Sequence, residues 1–381
     1  MRTAFNGAIR VAALMAAGVT GAHAAEWSIA PSFAVAVDED TNRTLATDAI
    51  ASQGLSMSAD MRLRRATERF DLWLLPQLHI QRFSDRRFDR SDDAGLTSEG
   101  TWLTERSTFD VSSLIRDQST LTSELFSTGI FDLNTRRRDE RLNASWAFAY
   151  AEHRVFSLTS GFQSSNYHGN STTSLQDSKY STFGASERFI VSERLSFSLD
   201  ASAGKYVTPD AAFATRSDSL SVGFMRRLSE RTRVTGEFGV NRRTDRFSST
   251  NGFVGQLSIA RSTETGGFSL SAGRNVAPSG FGIFTQTDQA QLAVSRGLAP
   301  RWNLNASLSV YRTSSAFQSF NLADRTYSQL NVALTWQANE YWSIGTTAGA
   351  DRAVSNTGLP ASGWHLGLQS VWRPMPNSLS R

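Results

Sequence analysis

The sequence predicts an all-β protein: a transmembrane, up-and-down antiparallel β-barrel of about 18 strands, preceded by a cleaved signal peptide. Three features of the sequence predict this fold class. The chain begins with a secretory leader, polar and apolar residues alternate with a two-residue period along many segments, and the connections between segments alternate between tight and loose. We divide the chain into a signal peptide (1–24), a barrel (25–373) and a short C-terminal extension (374–381).

The leader has the three parts of a secretory signal. Arg2 and Arg10 supply positive charge, Val11–Val19 is a short apolar run, and Ala22-His23-Ala24 is a small-residue cleavage site. The rest of the chain has no long apolar run, its mean hydropathy is −0.31, and it contains no cysteine. These features exclude a helical membrane protein and a disulfide framework. A net charge of +4 on an exported chain gives no reason to expect nucleic acid as a partner.

The alternation is clear in several segments after the leader. Trp302–Val310 and Leu55–Leu63 each place apolar side chains on one face and polar side chains on the other. Counting such segments gives about 18 strands, an even number that suits a single-chain bacterial barrel. The fourth strand is expected to begin near Gly100 and the fifth near Gln118. Glu187 falls on an apolar face, which we interpret as a bulge or as the end of the lipid-facing span.

The connections predict which end of the barrel faces which compartment. Tight turns such as Arg65–Glu68 and Ala338–Glu340 alternate with looser connections such as Asp38–Ser52 and Thr313–Asp324. Short periplasmic turns and longer outer loops are typical of outer-membrane barrels. Aromatic residues beside the tight turns predict a periplasmic girdle: Trp27, Phe70, Phe156, Trp302, Trp336, Trp342 and Trp372. A second, looser girdle near the other strand ends would comprise Trp102, Phe131, Tyr206, Phe247, Tyr311 and Tyr327.

A secreted soluble β-sandwich, jelly roll or β-helix is the alternative, because alternation alone does not distinguish a lipid-facing surface from a soluble core. The uninterrupted meander, the turn asymmetry and the one-sided tryptophans favour the barrel. The last strand, Trp364–Trp372, also resembles the C-terminal aromatic signal that the barrel assembly machinery recognises, although Arg373–Arg381 follow it. The expected location is the outer membrane, with its lipid and lipopolysaccharide and this machinery as partners.

The interior of such a barrel is too wide for side chains to fill, so a water-filled lumen is expected. Charged residues on the inward parity would orient a hydrated, neutral or polyhydroxy solute, or would only pair with one another and stiffen the wall. The candidate residues of this path are Asp60, Arg62, Arg64, Asp71, His79, Glu124, Arg141, Asp200, Arg233, Glu237, Arg243 and Asp351.

The sequence gives little support to an enzyme. His168 and Ser171 share a loop in which a Ser/His pair could form, but neither a Gly-x-Ser-x-Gly elbow nor a His-Glu-x-x-His pair occurs. The acidic runs Asp38–Asp40 and Asp92-Asp93 lack the spacing of a calcium loop and are interpreted as solvated. We therefore predict no catalytic residue, no cofactor and no metal site.

One block resembles a known family. Arg116–Leu125, followed by Thr128-Gly129, Arg136–Arg138 and Ser145-Trp146, resembles the β-barrel outer-membrane proteins found with exopolysaccharide export and exosortase (PEP-CTERM) systems. The resemblance covers about thirty residues and implies a polysaccharide exit pore working with periplasmic export components. Within the block, Glu124 and the arginine run are either functional positions or an inward strand pair and a charged loop at the lipid headgroups.

These expectations combine into a monomeric barrel with short outer loops and an open lumen, acting as a passive conduit for exopolysaccharide. The absence of long inward-folded loops favours this wide exit path. An uptake porin for small hydrophilic solutes is the alternative, and a surface enzyme or assembly factor built on the barrel wall is the third hypothesis.

Overall fold

The chain folds into one closed antiparallel sheet. The computed structural model describes residues 26–85, 91–124, 135–169, 175–209, 214–245, 248–315, 324–356 and 358–378, so the signal peptide lies outside the described residues. The strands are Glu26–Asp40 (β1), Ser52–Ala66 (β2), Phe70–Phe83 (β3), Ser91–Leu103 (β4), Ser107–Ser119 (β5), Thr135–Ala151 (β6), Arg154–Gly169 (β7), Ser178–Ser192 (β8), Leu195–Val207 (β9), Thr215–Ser229 (β10), Thr232–Thr244 (β11), Ser249–Thr263 (β12), Gly266–Pro278 (β13), Phe284–Ala299 (β14), Trp302–Ser315 (β15), Arg325–Gln337 (β16), Trp342–Ser355 (β17), Ala361–Trp372 (β18) and Asn377–Ser378 (β19); Thr120–Ser123 forms one helical turn (α1).

Consecutive strands pair with one another, and pairing of β1 with β18 closes the barrel. The predicted 18-stranded up-and-down barrel is therefore confirmed. The short β19 pairs with the start of β1, where Ser378 lies opposite Ser28, so part of the C-terminal extension continues the wall. No helix among the described residues is long and apolar enough to cross a membrane.

The two faces of the wall differ as the alternation predicts. Large apolar side chains such as Phe183, Leu199 and Val222 are about half exposed on the outer face, while the residues between them point inward. An apolar outer band around a closed barrel is the arrangement that satisfies every backbone group in lipid. This band places the protein in the outer membrane of a Gram-negative cell.

Tight turns mark one end of the barrel, and two of them were not foreseen, at residues 104–106 and 264–265. The predicted starts of two strands were wrong: β4 begins at Ser91 rather than near Gly100, and β5 at Ser107 rather than near Gln118. Glu187 lies on the outer face opposite Phe156, close to a tight turn, and its carboxylate accepts a hydrogen bond from the Tyr150 hydroxyl. Glu187 therefore marks the end of the lipid-facing span rather than a bulge.

The tryptophan girdle lies at the tight-turn end. Trp302 and Trp336 stack at 6.2 Å between ring centroids, and Trp342 lies 6.5 Å from Trp372. Trp102 also belongs to this end, 5.8 Å from Phe109, so its placement in the second girdle was wrong. Three further members of that set, Tyr206, Tyr311 and Tyr327, lie on the inner face of the barrel rather than on its lipid face. Phe131 and Phe247 lie outside the described residues.

Candidate solute path and its constriction

Most of the predicted path residues lie on strands, on the face opposite the apolar band. The register places Asp60, Arg62 and Arg64 on the inner face of β2, and the other strand members share the corresponding face of their strands: Asp71, His79, Arg141, Asp200, Arg233, Glu237, Arg243 and Asp351. Glu124 is the exception, because it follows α1 in the connection between β5 and β6 and is not part of a strand. Their role in conducting a solute remains a prediction.

The structure joins some of these residues to partners. Both nitrogens Nε and Nη2 of Arg64 donate to Asp71, at 2.8 and 2.6 Å, and the guanidinium of Arg62 lies 4.9 Å from the ring centre of Trp73. The Ser198 hydroxyl donates to Asp200. Such pairs hold charged side chains against the wall, where each exposed pair contributes about 1 kcal/mol or less to stability.

Asp351 belongs to a second polar group on the inner wall. Its carboxylate accepts a 2.7 Å hydrogen bond from the Tyr327 hydroxyl and lies 3.3 Å from Nδ1 of His365. His365 Nε2 in turn lies 3.0 Å from Asn331 Oδ1. Four strand positions on β16, β17 and β18 thus form one connected network that faces the lumen.

Glu124 is the centre of the most buried network. Its carboxylate is fully buried and accepts hydrogen bonds from Arg137 Nη1 at 2.7 Å and from the Tyr167 hydroxyl at 2.6 Å. Arg137 also donates to Asp139, which accepts from the Ser165 hydroxyl at 2.6 Å. This network fastens the β5–β6 connection to the inner wall of β6 and β7. The expectation that Ser123-Glu124 forms a strand pair and Arg136–Arg138 a loop was wrong, because β5 ends at Ser119 and the arginines begin β6.

A short segment between β13 and β14 reaches across the lumen. Phe284 is fully buried against Tyr180 and Tyr206, with ring centroids 5.9 and 5.5 Å apart, although its strand pairs only with β13 and β15. The Tyr206 hydroxyl donates to the carbonyl of Ser279 at 3.0 Å, and the backbone N–H of Gln176 donates to the carbonyl of Gly280 at 2.8 Å. We call residues 279–284 the crossing segment.

Two glycines allow the crossing segment to pack so closely. A Cβ on Gly280 would lie 2.4 Å from the Tyr167 hydroxyl, and one on Gly282 would lie 2.4 Å from Gln176 Oε1. Gly282 also has a φ of +78°, in the left-handed region that favours glycine. Tyr167 therefore contacts both Glu124 and the crossing segment, which links the two inward-facing connections.

The connection between β1 and β2 also folds inward. Leu45 is buried against Tyr327 and Ala353, and Arg43 pairs with Asp38 while its guanidinium lies 4.6 Å from the ring centre of Phe83. These inward-folded connections were not expected, because the expectation of an open lumen rested on the absence of long loops.

Space remains on the periplasmic side of these segments. A cavity of about 1000 Å³ is lined by residues of β10 to β16, including Arg227, Arg233, Ser269 and Ser307, and a smaller one of about 390 Å³ by Glu99, Asp110 and Asn143 on the opposite wall. Polar and charged side chains line both spaces. These cavities thus lie near the tight turns, whereas inward-folded connections occupy part of the lumen near the other end.

The residues that sequence reasoning missed carried a usable signal. Tyr206 shares the parity of Ser198 and Asp200 in its own strand, and Tyr327 shares that of Gln329, so both belong to the inner face. Extending the alternation to the strand ends would have placed these tyrosines in the lumen. The inward course of the crossing segment had no such signal.

The residues considered for catalysis or metal binding are only partly within the described ranges. His168 lies 3.6 Å from Asp117, on the outer-face parity at the top of β7, and Ser171 lies outside the described residues. Within the described ranges, no group of three or more histidines and acids is placed to hold a metal ion. Asp93 instead accepts hydrogen bonds from the Ser119 backbone and the Thr122 hydroxyl.

A closed barrel with an apolar outer band and a polar, narrowed interior defines an outer-membrane β-barrel of the porin fold. No protein-family model and no curated protein matches the chain. Among solved structures, it is similar to Pseudomonas aeruginosa OccK7 (OpdD), with a TM-score of 0.51, 11% identity and coverage of 93% of this chain and 100% of that one. It is equally similar to P. aeruginosa OccK9 (OpdG), with a TM-score of 0.51, 10% identity and coverage of 91% and 98%.

A third similar structure is P. aeruginosa OccK2 (OpdF) solved in complex with glucuronate, with a TM-score of 0.50, 10% identity and coverage of 93% and 98%. These neighbours are outer-membrane porins. At such low identity the likeness establishes the barrel fold, and the function of this chain has to be argued from its own lumen.

Proposed function

We propose that the protein is a passive channel through which small hydrophilic solutes enter across the outer membrane. The observation that carries this proposal is the crossing segment inside a polar lumen. The contact between Phe284 and the tyrosines of β8 and β9 occupies part of the lumen on the outer side of the periplasmic cavity. A narrow, hydrated path favours small solutes over a polymer chain.

The inner wall also suggests which small solutes to test. Arg62, Arg141 and Arg233 face the lumen, and a guanidinium presents planar donors that match a carboxylate. One structural neighbour was solved with glucuronate. We therefore propose sugar acids and neutral sugars of one or two rings as the first solutes to compare.

The test is a pair of measurements on the refolded mature chain. Single-channel conductance in a planar bilayer would show discrete steps, and liposomes containing the protein would swell in glucuronate and in monosaccharides but not in saccharides of four or more rings. Circular dichroism and a heat-dependent shift in gel mobility would confirm that the barrel is folded. A folded barrel that gives no steps and no swelling would overturn the proposal.

Export of exopolysaccharide is a second proposal and rests on the resemblance of Arg116–Leu125 and the arginine run. In the structure, residues of this block build the network around Glu124 and Arg137, and Leu125 lies outside the described residues. The same bilayer measurement separates the two. Block of the conductance by a long polysaccharide, with no effect of monosaccharides, would favour export.

A further inference from the structure

The two lysines of the chain lie side by side on the outer wall. Lys179 and Lys205, the only lysines in the sequence, are on the neighbouring strands β8 and β9, near the ends that carry the long connections. They share the parity of Phe183 and Leu199, whose side chains are 58% and 47% exposed on the apolar band. Both lysines therefore project outward, just beyond that band.

The surroundings of Lys205 carry an excess of positive charge. It lies directly opposite Arg216 in the register, and like charges in such a pair destabilise a sheet. Arg216 pairs with Asp218, which also lies opposite Arg242. Among the ion pairs of the described residues none involves Lys205, and Asp218 is the strand carboxylate that lies between Arg216 and Arg242 on this face.

Several other outer-face cations at this end each have a carboxylate partner. Arg274 donates to Asp288 through both Nε and Nη2, Arg312 pairs with Asp324, and Arg136 pairs with Asp117. The group formed by Lys179, Lys205, Arg216 and Arg242, which we call the basic patch, differs from these one-to-one pairs.

A hollow of about 620 Å³ lies on this part of the wall. Phe183 and Ala203 form its apolar part, Lys205 and Arg216 its cationic part, and Asp245 lies at its margin. Small side chains on the outer faces of β8 and β9 leave the space. A hollow that is apolar on the membrane side and cationic above it fits a molecule with an acyl chain below an anionic head.

The depth of the basic patch is set by the apolar band. On β10 the outer face runs from Phe224 and Val222 to Leu220, and the next outward residues are Asp218 and Arg216. A lipid-facing base at mid-depth would cost about 2–4 kcal/mol, so these charges mark the headgroup level. The long connections lie on this side, which makes it the outer leaflet.

From this charge, shape and depth we propose that the basic patch binds the phosphorylated headgroup of outer-leaflet lipopolysaccharide, with one acyl chain against Phe183 and Ala203. The anion balances Lys205, which lies directly opposite Arg216 and has no carboxylate partner among the ion pairs of the described residues. The bound lipid covers the hollow and holds the extracellular ends of β8 to β11. This site is on the lipid face, so its test is independent of whether the lumen conducts.

The experiment measures binding of lipid A to the refolded mature chain in detergent by native mass spectrometry. The double variant Lys205→Gln/Arg216→Gln is compared with the wild type. Arg312→Gln/Arg352→Gln is the matched control, because it removes the same charge from the outer face at the same end, away from the hollow. We expect the patch variant to lose about thirty-fold in affinity, because each cation near an anionic lipid surface contributes about fivefold.

Gel mobility before and after heating would confirm that both variants are folded. Retained affinity in the control together with the loss in the patch variant would support the site. Equal affinity of all three proteins, or an equal loss in the control, would overturn it. Competition by inorganic phosphate at the same concentration as lipid A would overturn the lipid as occupant, and so would equally tight binding of phosphatidylglycerol.

Discussion

Replacing Phe284 by alanine tests whether the crossing segment narrows the lumen. The ring is fully buried against Tyr180 and Tyr206, and truncating a buried phenylalanine costs about 3–5 kcal/mol. The segment is otherwise held by the hydrogen bonds from the Tyr206 hydroxyl and from the backbone of Gln176, each contributing about 1 kcal/mol. The ring therefore contributes more than these two hydrogen bonds together.

A loss of about 3–5 kcal/mol changes the equilibrium between the packed and the released crossing segment by a factor of about a hundred to several thousand. We expect Phe284→Ala to raise the mean single-channel conductance and to admit saccharides that the wild type excludes in liposome swelling. Tyr206→Phe removes one hydrogen bond but leaves the ring contacts. It should therefore change the equilibrium between the packed and the released segment only about fivefold. Phe253→Ala is the control, because that ring is 52% exposed on the lipid face.

The result that would refute this reasoning is a folded Phe284→Ala barrel with the conductance and size limit of the wild type. It would mean that the crossing segment does not control the narrowest part of the path. A change of the same size in Phe253→Ala would also contradict it, because the effect would then follow from barrel stability alone.

Three further predictions concern the networks and the glycines. Glu124→Gln leaves the largely buried Arg137 without one of its carboxylates, which should cost about 3–5 kcal/mol locally and raise hydrogen exchange in residues 120–124. Gly282→Ala should displace the crossing segment, through its left-handed φ and its contact with a glutamine side chain, and raise the conductance as Phe284→Ala does. Arg64→Gln should change stability by about 1 kcal/mol or less, because its pair with Asp71 is exposed, but should shift the reversal potential in a salt gradient towards cation selectivity.

Each of these has a matched control in the chain. Glu99→Gln is the control for Glu124→Gln, because it removes a lumen-facing carboxylate on β4. If hydrogen exchange in residues 120–124 rises equally in both variants, the first prediction is contradicted. Gly358→Ala adds a methyl group that meets nothing within 4 Å, and the second prediction fails if it alters conductance as much as Gly282→Ala. Asp71→Asn should shift selectivity in the opposite direction to Arg64→Gln; a shift in the same direction would show that the lumen charge at this position does not act on permeating ions.

The strand count and the orientation of the wall could be predicted because lipid on one side and water on the other impose alternation on nearly every strand. The prediction failed at β4 and β5, where that rule is broken. Ser98 and Ser113 occupy outer-face positions, and their hydroxyls satisfy each other at 2.7 Å, whereas Leu114 faces inward. Exposing a polar pair to lipid costs little free energy when the two side chains are hydrogen-bonded to each other. In the sequence, however, such a pair interrupts the two-residue alternation that identifies a strand.

The candidate path could be predicted only to the level of the inner face. Alternation assigns Arg62 and Asp200 to the lumen, because the apolar residues on either side of each one in its strand define the outer face. The crossing segment depends on contacts between Phe284 and Tyr206, which are distant in the sequence and lie on strands that do not pair. No local pattern reports such a contact, and loop length, the only local guide, suggested an open lumen.

Aromatic residues show how face and depth act together. At the tight-turn end, tryptophans such as Trp302 and Trp336 lie on the outer parity, where an amphipathic ring suits the membrane interface. At the opposite end, Tyr206 and Tyr327 lie on the inner parity, where the ring packs and the hydroxyl donates to a carbonyl or carboxylate. Grouping aromatic residues by depth alone merged two different roles.

The order of the narrow and wide parts determines how the path would discriminate between solutes. In the proposed channel, a solute arriving from outside would meet the crossing segment and its aromatic contacts before the periplasmic cavity. Beyond it, the cavity of about 1000 Å³ lined by Arg227 and Arg233 would let charge distinguish one small solute from another. The proposed channel would therefore select by size at the crossing segment and by charge at the wall beyond it, because a solute that the segment excludes would never reach that wall.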